Sequence, residues 1–327
     1  MWRGTPSAAS ARPLRSGRAP ARRVVSVLRN RVPQLAAALL GLAAAACQAG
    51  SLRSCDQPAP VSAGQHAALF RFGDVVRAEL ARAGQPLALV ARSGTDLSLL
   101  GQRYSHAGFS LRDSAETPWA VRQLYYACDE GRPRIFDQGL AGFLLGSNDA
   151  DLGYVSLVFL PAEASARLDR TVTDKRQALA LLGADYSANA HAWSERYQNC
   201  NQWVVEMLAT AWSPPAEGSA PRLHAQHWLA QAGYRPTEVD VAAWPLVWVA
   251  GMVPWLHNDD HPGEDLARAV YRVSLPDSIE RFARLHLPGA QRIELCHAGR
   301  RVVVHRGWDP VAEGCVPGPG DESFDLL

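Results

Sequence analysis

The sequence has no internal repeat, no apolar run long enough to cross a bilayer, and no second cluster of metal-ligand side chains to complete the one it carries. Without repeats, solenoid and propeller architectures are excluded. The two longest apolar stretches, LAAALLGLAAAA at 35–46 and the proline-broken WPLVWVAGMVPW at 244–255, fall short of the roughly 20 residues that a spanning helix needs. The second reads as a core segment or an apolar lid over a cleft, with lipid contact at an interface as the other reading. HNDDH at 257–261 holds ligand-type residues. Adjacent Asp and His in one loop are usually a polar turn, so neither a metal nor another cofactor is expected. Acidic residues are missing from 1–46, which contains eight of the 33 basic side chains; the other 25 face 32 acidic ones, a balance of about −7. That is an ordinary surface with no basic face for nucleic acid.

Export explains the arginine-rich start. Arg22 to Arg31 precede the apolar run at 35–46, and small residues follow, as in a signal peptide. Ala44-Ala45-Ala46-Cys47 resembles the lipobox of bacterial lipoproteins, although the leucine common three residues before the cysteine is missing. Two processing routes stay open: acylation of Cys47, which would anchor the chain to a membrane, or plain cleavage at an Ala-x-Ala site. Either puts the mature protein in a periplasm, with 47–65 as a polar tether. Such surroundings permit disulfides. Of six cysteines, Cys47 is set aside for processing and Cys200 for chemistry, leaving four. Cys296 and Cys315 flank a hairpin-like segment and could bridge it; Cys55 with Cys128 would then staple the N-terminal arm to the core. Three connectivities are open for four thiols.

Further along, Leu69, Phe72, Val76 and Leu80 form one helical stripe that Gly84 stops. PLALVARSG (86–94) and GYVSLVFLP (153–161) read as buried strands, and YSHAGFSL (104–111) and WAVRQLYYA (119–127) as strands joined by a polar turn. TDKRQALALLG (173–183) reads as a helix. Later, ARAVYRVSLP, RIELCHAG and RRVVVHRG read as strands, with PDSIERFARL as a helix. The pattern predicts an α+β layer architecture. In YQNCNQWVVEML (197–208), Asn199 is the predicted N-cap and Gln202 its capping-box-like companion. Trp203, Val204, Met207 and Leu208 recur at helical spacing, so Cys200 shares the inward face in the first turn. There the unpaired N–H groups and the helix dipole lower a thiol pKa. An inert buried thiol is the competing reading, which the flanking amides weaken.

A thiol nucleophile needs a base. His106 shares a predicted strand face with Gly108 and Ser110, and the glycine leaves space beside the ring. His257 and His261 follow the cysteine but lie in a loop without strand character, and His191 is too near in sequence. YSHAGFSL followed by NCNQWVVEML resembles the permuted branch of the NlpC-type papain-like hydrolases, where a histidine strand precedes the cysteine helix. RSGTDLSLLGQRYSHAGFSLRD, RIFDQGLAGFLLG and RYQNCNQWVVEMLA resemble a bacterial family, domain of unknown function 2145, over residues 85–280.

The resemblance implies an α+β, circularly permuted papain-like fold, with an antiparallel sheet packed on the helix that carries the cysteine. It makes Cys200 the nucleophile and His106 the base. Such enzymes orient the imidazole with a third polar residue from the next strand. Gln123 is the candidate, where relatives often have a histidine or carboxylate. Gln198, with the Cys200 backbone N–H, is the candidate oxyanion donor. For both glutamines plain hydrogen bonding is the competing reading, and Asp96 is expected to support the loop beside the His106 strand. The expected organisation is a papain-like domain at 66–290 followed by a hairpin and tail at 291–327. The expected activity is a thiol hydrolase or acyltransferase on an amide or ester, with a cell-envelope peptide as first substrate class and a lipid as second. The rival is a binding or assembly module that keeps the fold without turnover, a reading that Gln123 in the orienting position favours.

Overall fold

The computed structural model describes residues 61–241, 253 and 255–326, all within one compact unit, Ser51–Leu327. The expected signal segment at 1–46, Cys47, Cys55, the expected tether up to residue 60 and most of the 244–255 stretch lie outside the described residues.

At the centre is β1 (Leu87–Arg92), buried on both faces. Its side chains alternate: Leu87, Leu89 and Ala91 enter one core, Ala88 and Val90 the other. That is the two-residue period of a strand covered on both sides. β1 pairs with β2 (His106–Leu111) and with β5 (Leu152–Phe159). Outward from β2 come β3 (Ala120–Ala127) and β4 (Arg132–Gln138). Two short pairs stand apart: β6 (Asp185–Tyr186) with β7 (Tyr197–Gln198), and β8 (Thr237–Asp240) with β9 (Val270–Val273). Outward from β5 come β10 (Gln291–Ala298), β11 (Arg301–Arg306) and β12 (Glu322–Asp325), completing the order β12-β11-β10-β5-β1-β2-β3-β4. Every neighbouring pair in this eight-stranded sheet is antiparallel. The fold is therefore α+β around a large antiparallel sheet. A boundary after residue 290 does not separate the C-terminal hairpin from it, because β10 pairs with β5 along its whole length.

One face of the sheet is covered by α1 (Ala63–Ala83) and α2 (Leu140–Leu145), where Phe72, Val76 and Leu80 pack with Val90, Val121 and Phe143. Ser62 and Gln65 close a capping box at the start of α1, and Gly84 ends it at φ 68°, a left-handed position that suits glycine. The other face carries α3 (Ala162–Thr173), α4 (Lys175–Ala180), α5 (Cys200–Trp212), α6 (Pro221–Gln231) and, after the short α7 (Gly263–Ala267), α8 (Pro276–His286). Asp174 caps α4 by accepting from the Arg176 and Gln177 N–H groups. No helix among the described residues is long and apolar enough to cross a membrane.

α5 is the core helix: every residue from Cys200 to Ala211 is buried, which requires an apolar or internally satisfied surface all round. Trp203 meets the Phe109 ring edge-on at 5.8 Å and donates its indole N–H to Ala178 O at 3.3 Å. Trp203→Ala is expected to cost about 3–5 kcal/mol in a urea unfolding titration. A loss below about 1 kcal/mol would contradict its place at the centre of this core. The charged residue on α5 is Glu206, fully buried and bonded to Arg222 Nε at 3.0 Å, Gln198 Nε2 at 2.6 Å and Gln226 Nε2 at 2.8 Å. Arg222 also donates to the carbonyls of Ser194, Glu195 and Tyr197. It thus ties the middle of α5 to the loop that leads into Cys200. Cys296 and Cys315 are joined by a disulfide, and Cys128 is also disulfide-bonded. Among the described residues Cys200 is the free cysteine.

Candidate active site

Cys200 is the first residue of α5 and is 6% exposed. The Asn199 side chain caps the helix by accepting from Gln202 N–H at 2.7 Å, and its amide donates to Ala188 O and Ser274 O. Gln202 does not return the bond: its amide donates to the Ala192 and Ser194 carbonyls, so the predicted pair is a single cap. Because the cap is spent on Gln202, the backbone N–H groups of Cys200 and Asn201 point at the sulfur. A third comes from Ala107 on β2. β2 and β3 pair only over Phe109–Leu111, and where they part the Ala107 N–H turns to the thiol. The Asn201 side chain donates to Ser105 O at 3.1 Å, fastening the start of α5 to the residue before His106.

His106 leaves β2 on the side of α2, 6.0 Å from the Phe143 ring. Its Nε2 lies 2.5 Å from Gln123 Oε1, and the Gln123 amide donates to Gln138 Oε1 at 2.7 Å. An amide oxygen only accepts, so the proton sits on Nε2 and the lone pair on Nδ1. Gln138 was not anticipated. Its strand, β4, contains Pro133 and alternates charged residues, so it carries a weak strand signal. Among the described residues no hydrogen bond joins His106 to Cys200 directly. Such bonds are often long in unliganded sites and tighten around substrate.

Arg92 is a further member that the sequence reading missed. It is the register partner of His106 across β1 and β2. Its guanidinium lies between Gly94 and Gly146, where a Cβ on either glycine would collide with it. It donates to Gly146 O and lies over the Phe143 ring at 5.1 Å. The electrostatics correct one expectation. Burial pushes the Cys200 thiol up to about 11, against the opposing pull of Arg92 and the three N–H groups. Burial, helped by Arg92, pushes His106 down to about 3 while Gln123 resists. The helix start therefore does not yield a low thiol pKa in the resting site, and both partners are neutral near pH 7. Since the Arg92 charge favours thiolate, Arg92→Gln is expected to move Cys200 ionisation to still higher pH. Iodoacetamide labelling at mildly alkaline pH slows in this variant, and labelling by anionic iodoacetate slows more. An unchanged pH profile would contradict the coupling.

Cys200, His106 and Arg92 line one cavity of about 440 Å³. Trp255, at the end of the apolar 244–255 stretch, also lines it. His257 and His261 do not. His257 stacks on Tyr197 at 4.3 Å, and His261 Nε2 bonds Asn189 O at 2.7 Å. Asp260 accepts from the His191 N–H. These residues brace the Asn189 loop, which forms part of the wall. Asp96 is exposed and accepts from Ser98 N–H at 2.9 Å, holding the turn whose flanking Leu97 and Leu100 reach the cavity. Gln198 is a correction. It is fully buried away from the cavity, donating to Leu181 O and Glu206 and accepting from Gly183 N–H, so no donor remains for an oxyanion.

A family model described as "Uncharacterized protein conserved in bacteria (DUF2145)" matches residues 79–283. The chain belongs to this family. The DUF2145 match takes in Arg92, His106, Gln123, Gln138 and Cys200, and ends within α8 before the last three strands of the sheet. Neither a curated protein nor a solved structure matches the chain significantly.

Proposed function

We propose that this protein is a thiol hydrolase or acyltransferase that cleaves an amide or ester bond, built on a circularly permuted papain-like fold. The observation that carries the reading is one cavity lined by Cys200, at the start of the buried core helix, and by His106, whose tautomer Gln123 sets. The histidine strand precedes the cysteine helix and the antiparallel sheet packs on that helix, as a permuted order requires.

The chemistry starts from a neutral pair. As the sulfur attacks the carbonyl carbon, His106 Nδ1 takes the thiol proton, so proton transfer accompanies attack and no resting ion pair is needed. The oxygen that becomes negative is met by the Cys200 and Asn201 N–H groups, and Arg92 adds positive charge. The tetrahedral species collapses, the carbon–oxygen or carbon–nitrogen bond breaks, and the leaving group carries away the proton held by His106. Water or another acceptor then attacks the thioester with the same histidine as base, restoring the thiol. The export signal expected at 1–46 would put this reaction in the periplasm, where envelope peptides and lipids are the available acyl donors.

A second reading, a binding module without turnover, is favoured by the raised thiol and lowered imidazole pKa. Burst kinetics with p-nitrophenyl acetate decide between them. The enzyme reading expects close to one equivalent of p-nitrophenol per chain, absent in Cys200→Ala. Release no faster than in that variant would support the module.

A further inference from the structure

Leu124, Tyr125 and Tyr126, three consecutive residues of β3, all line the cavity. Side chains of a strand alternate between its two faces, so what the three present together is the main-chain edge. Pro133 has no N–H, so Tyr126 opposite it belongs to a pair without hydrogen bonds, and alternation gives Leu124 and Arg122 the same orientation. The N–H and C=O groups of these residues therefore point away from β4, toward β2. Arg122 meets Phe109 there, but the pairing stops, and among the described residues Leu124 and Tyr126 have no β2 partner.

The start of α5 has taken over the β2 side of this seam. Regular pairing would give the Ala107 N–H to Leu124, and it goes to the Cys200 sulfur. The Ser105 C=O, next in line, accepts from the Asn201 amide at 3.1 Å. The sulfur thus sits where the seam opens, beside the unpaired edge of β3. Leu124 is fully buried, whereas Tyr126, about 7 Å further along the strand, is partly exposed. The wall beyond is mixed, with Asn148 and Asn189 among the rings of Tyr186, Trp255 and Tyr271. Asn201, 2% exposed, keeps an Oδ1 without a hydrogen-bond partner. Such a surface matches a chain that brings a donor and an acceptor with every residue, and an open strand edge binds such a chain by strand addition.

Resting on the thiol-hydrolase reading above, we propose that the open edge of β3 at Tyr126 is the substrate-docking strand. Its substrate is an extended peptide, paired main chain to main chain with Tyr126 and with its scissile carbonyl at Cys200. The sulfur–carbon bond replaces the peptide carbon–nitrogen bond, and the thiol proton leaves with the amine through His106. Water then releases the carboxylic acid and returns the proton to sulfur.

The test reads docking without requiring turnover: the rate at which N-acetylated chloromethyl ketones of one, two and three alanines alkylate Cys200. Two added hydrogen bonds raise the rate about tenfold from the shortest to the longest, and N-methylation of one alanine of the longest abolishes that gain. Tyr126→Pro also abolishes it, because proline removes the N–H on the cavity side and spares the bonds to β4. Tyr126→Ala, which keeps the N–H, keeps the gain. A rate indifferent to length and to N-methylation overturns the docking strand, as does an equal loss of the gain in the alanine and proline variants. The N-methyl series in the wild-type chain decides the matter even where the proline variant fails to fold. The p-nitrophenyl acetate burst reads the enzyme separately. A burst with a flat alkylation series leaves the hydrolase and removes the strand, and a length-dependent series without a burst leaves the strand and removes the hydrolase.

Discussion

His106→Ala is expected to slow acylation of Cys200 by about 10²–10⁴-fold, and Cys200→Ala to remove it. The size follows from the neutral resting site. With the thiol pushed up to about 11, very little thiolate exists near pH 7, so the proton must be taken during attack. Among the described residues, no other histidine lines the cavity to replace His106. Stopped-flow burst rates measure the effect, and a burst rate unchanged in His106→Ala would remove the base assignment. Gln123→Ala should cost less, because the imidazole remains while its orientation and tautomer are released. The DUF2145 match includes both positions, so the same pair of variants can be made in any relative that retains them.

Arg222→Ala carries the largest expected loss of stability after the core substitutions, about 3–5 kcal/mol by urea unfolding. The reason is Glu206, whose side chain is fully buried in the middle of α5. Burial already pushes its pKa up, against Arg222, Gln226 and Gln198. Without the guanidinium it rises further. A carboxyl raised in the folded state contributes most where it is protonated, so the variant's deficit is smaller in acid and grows as pH rises. Glu206→Gln added to Arg222→Ala should recover part of the loss by removing the unpaired charge. A near-neutral single substitution would mean that the pair is not what holds α5 to the loop at 194–197. Function should fall together with stability, since Arg222 positions the carbonyls just ahead of Cys200.

What could be read in the sequence was what local chemistry decides. The Leu69, Phe72, Val76, Leu80 stripe and the stop at Gly84 needed only helical period and backbone sterics, and α1 follows them. β1, β2, β3 and β5 announced themselves by short apolar runs between polar turns. Asn199 and the aromatic-aliphatic face after it fixed the start of α5. What could not be read depends on register between distant segments. Arg92 joins the site because β1 pairs with β2 at His106, and Gln138 because β4 pairs with β3, contacts that no local pattern encodes. Gln198 was misjudged for the same reason. The resemblance offered it as an oxyanion donor beside the Cys200 N–H, but β7 turns its amide toward Glu206. The thiol pKa was misjudged because a helix start is a local signal, and the burial that outweighs it comes from the whole fold.

The central claim is that Cys200 becomes acylated during turnover. Its most direct test is a peptide mass map of the chain, quenched in acid during steady-state turnover of a p-nitrophenyl ester. The account predicts one acyl mass on the peptide that carries Cys200, labile to hydroxylamine as a thioester and strongly reduced in His106→Ala. Turnover that continues with Cys200 unmodified, or an acyl group found on another residue, would contradict it.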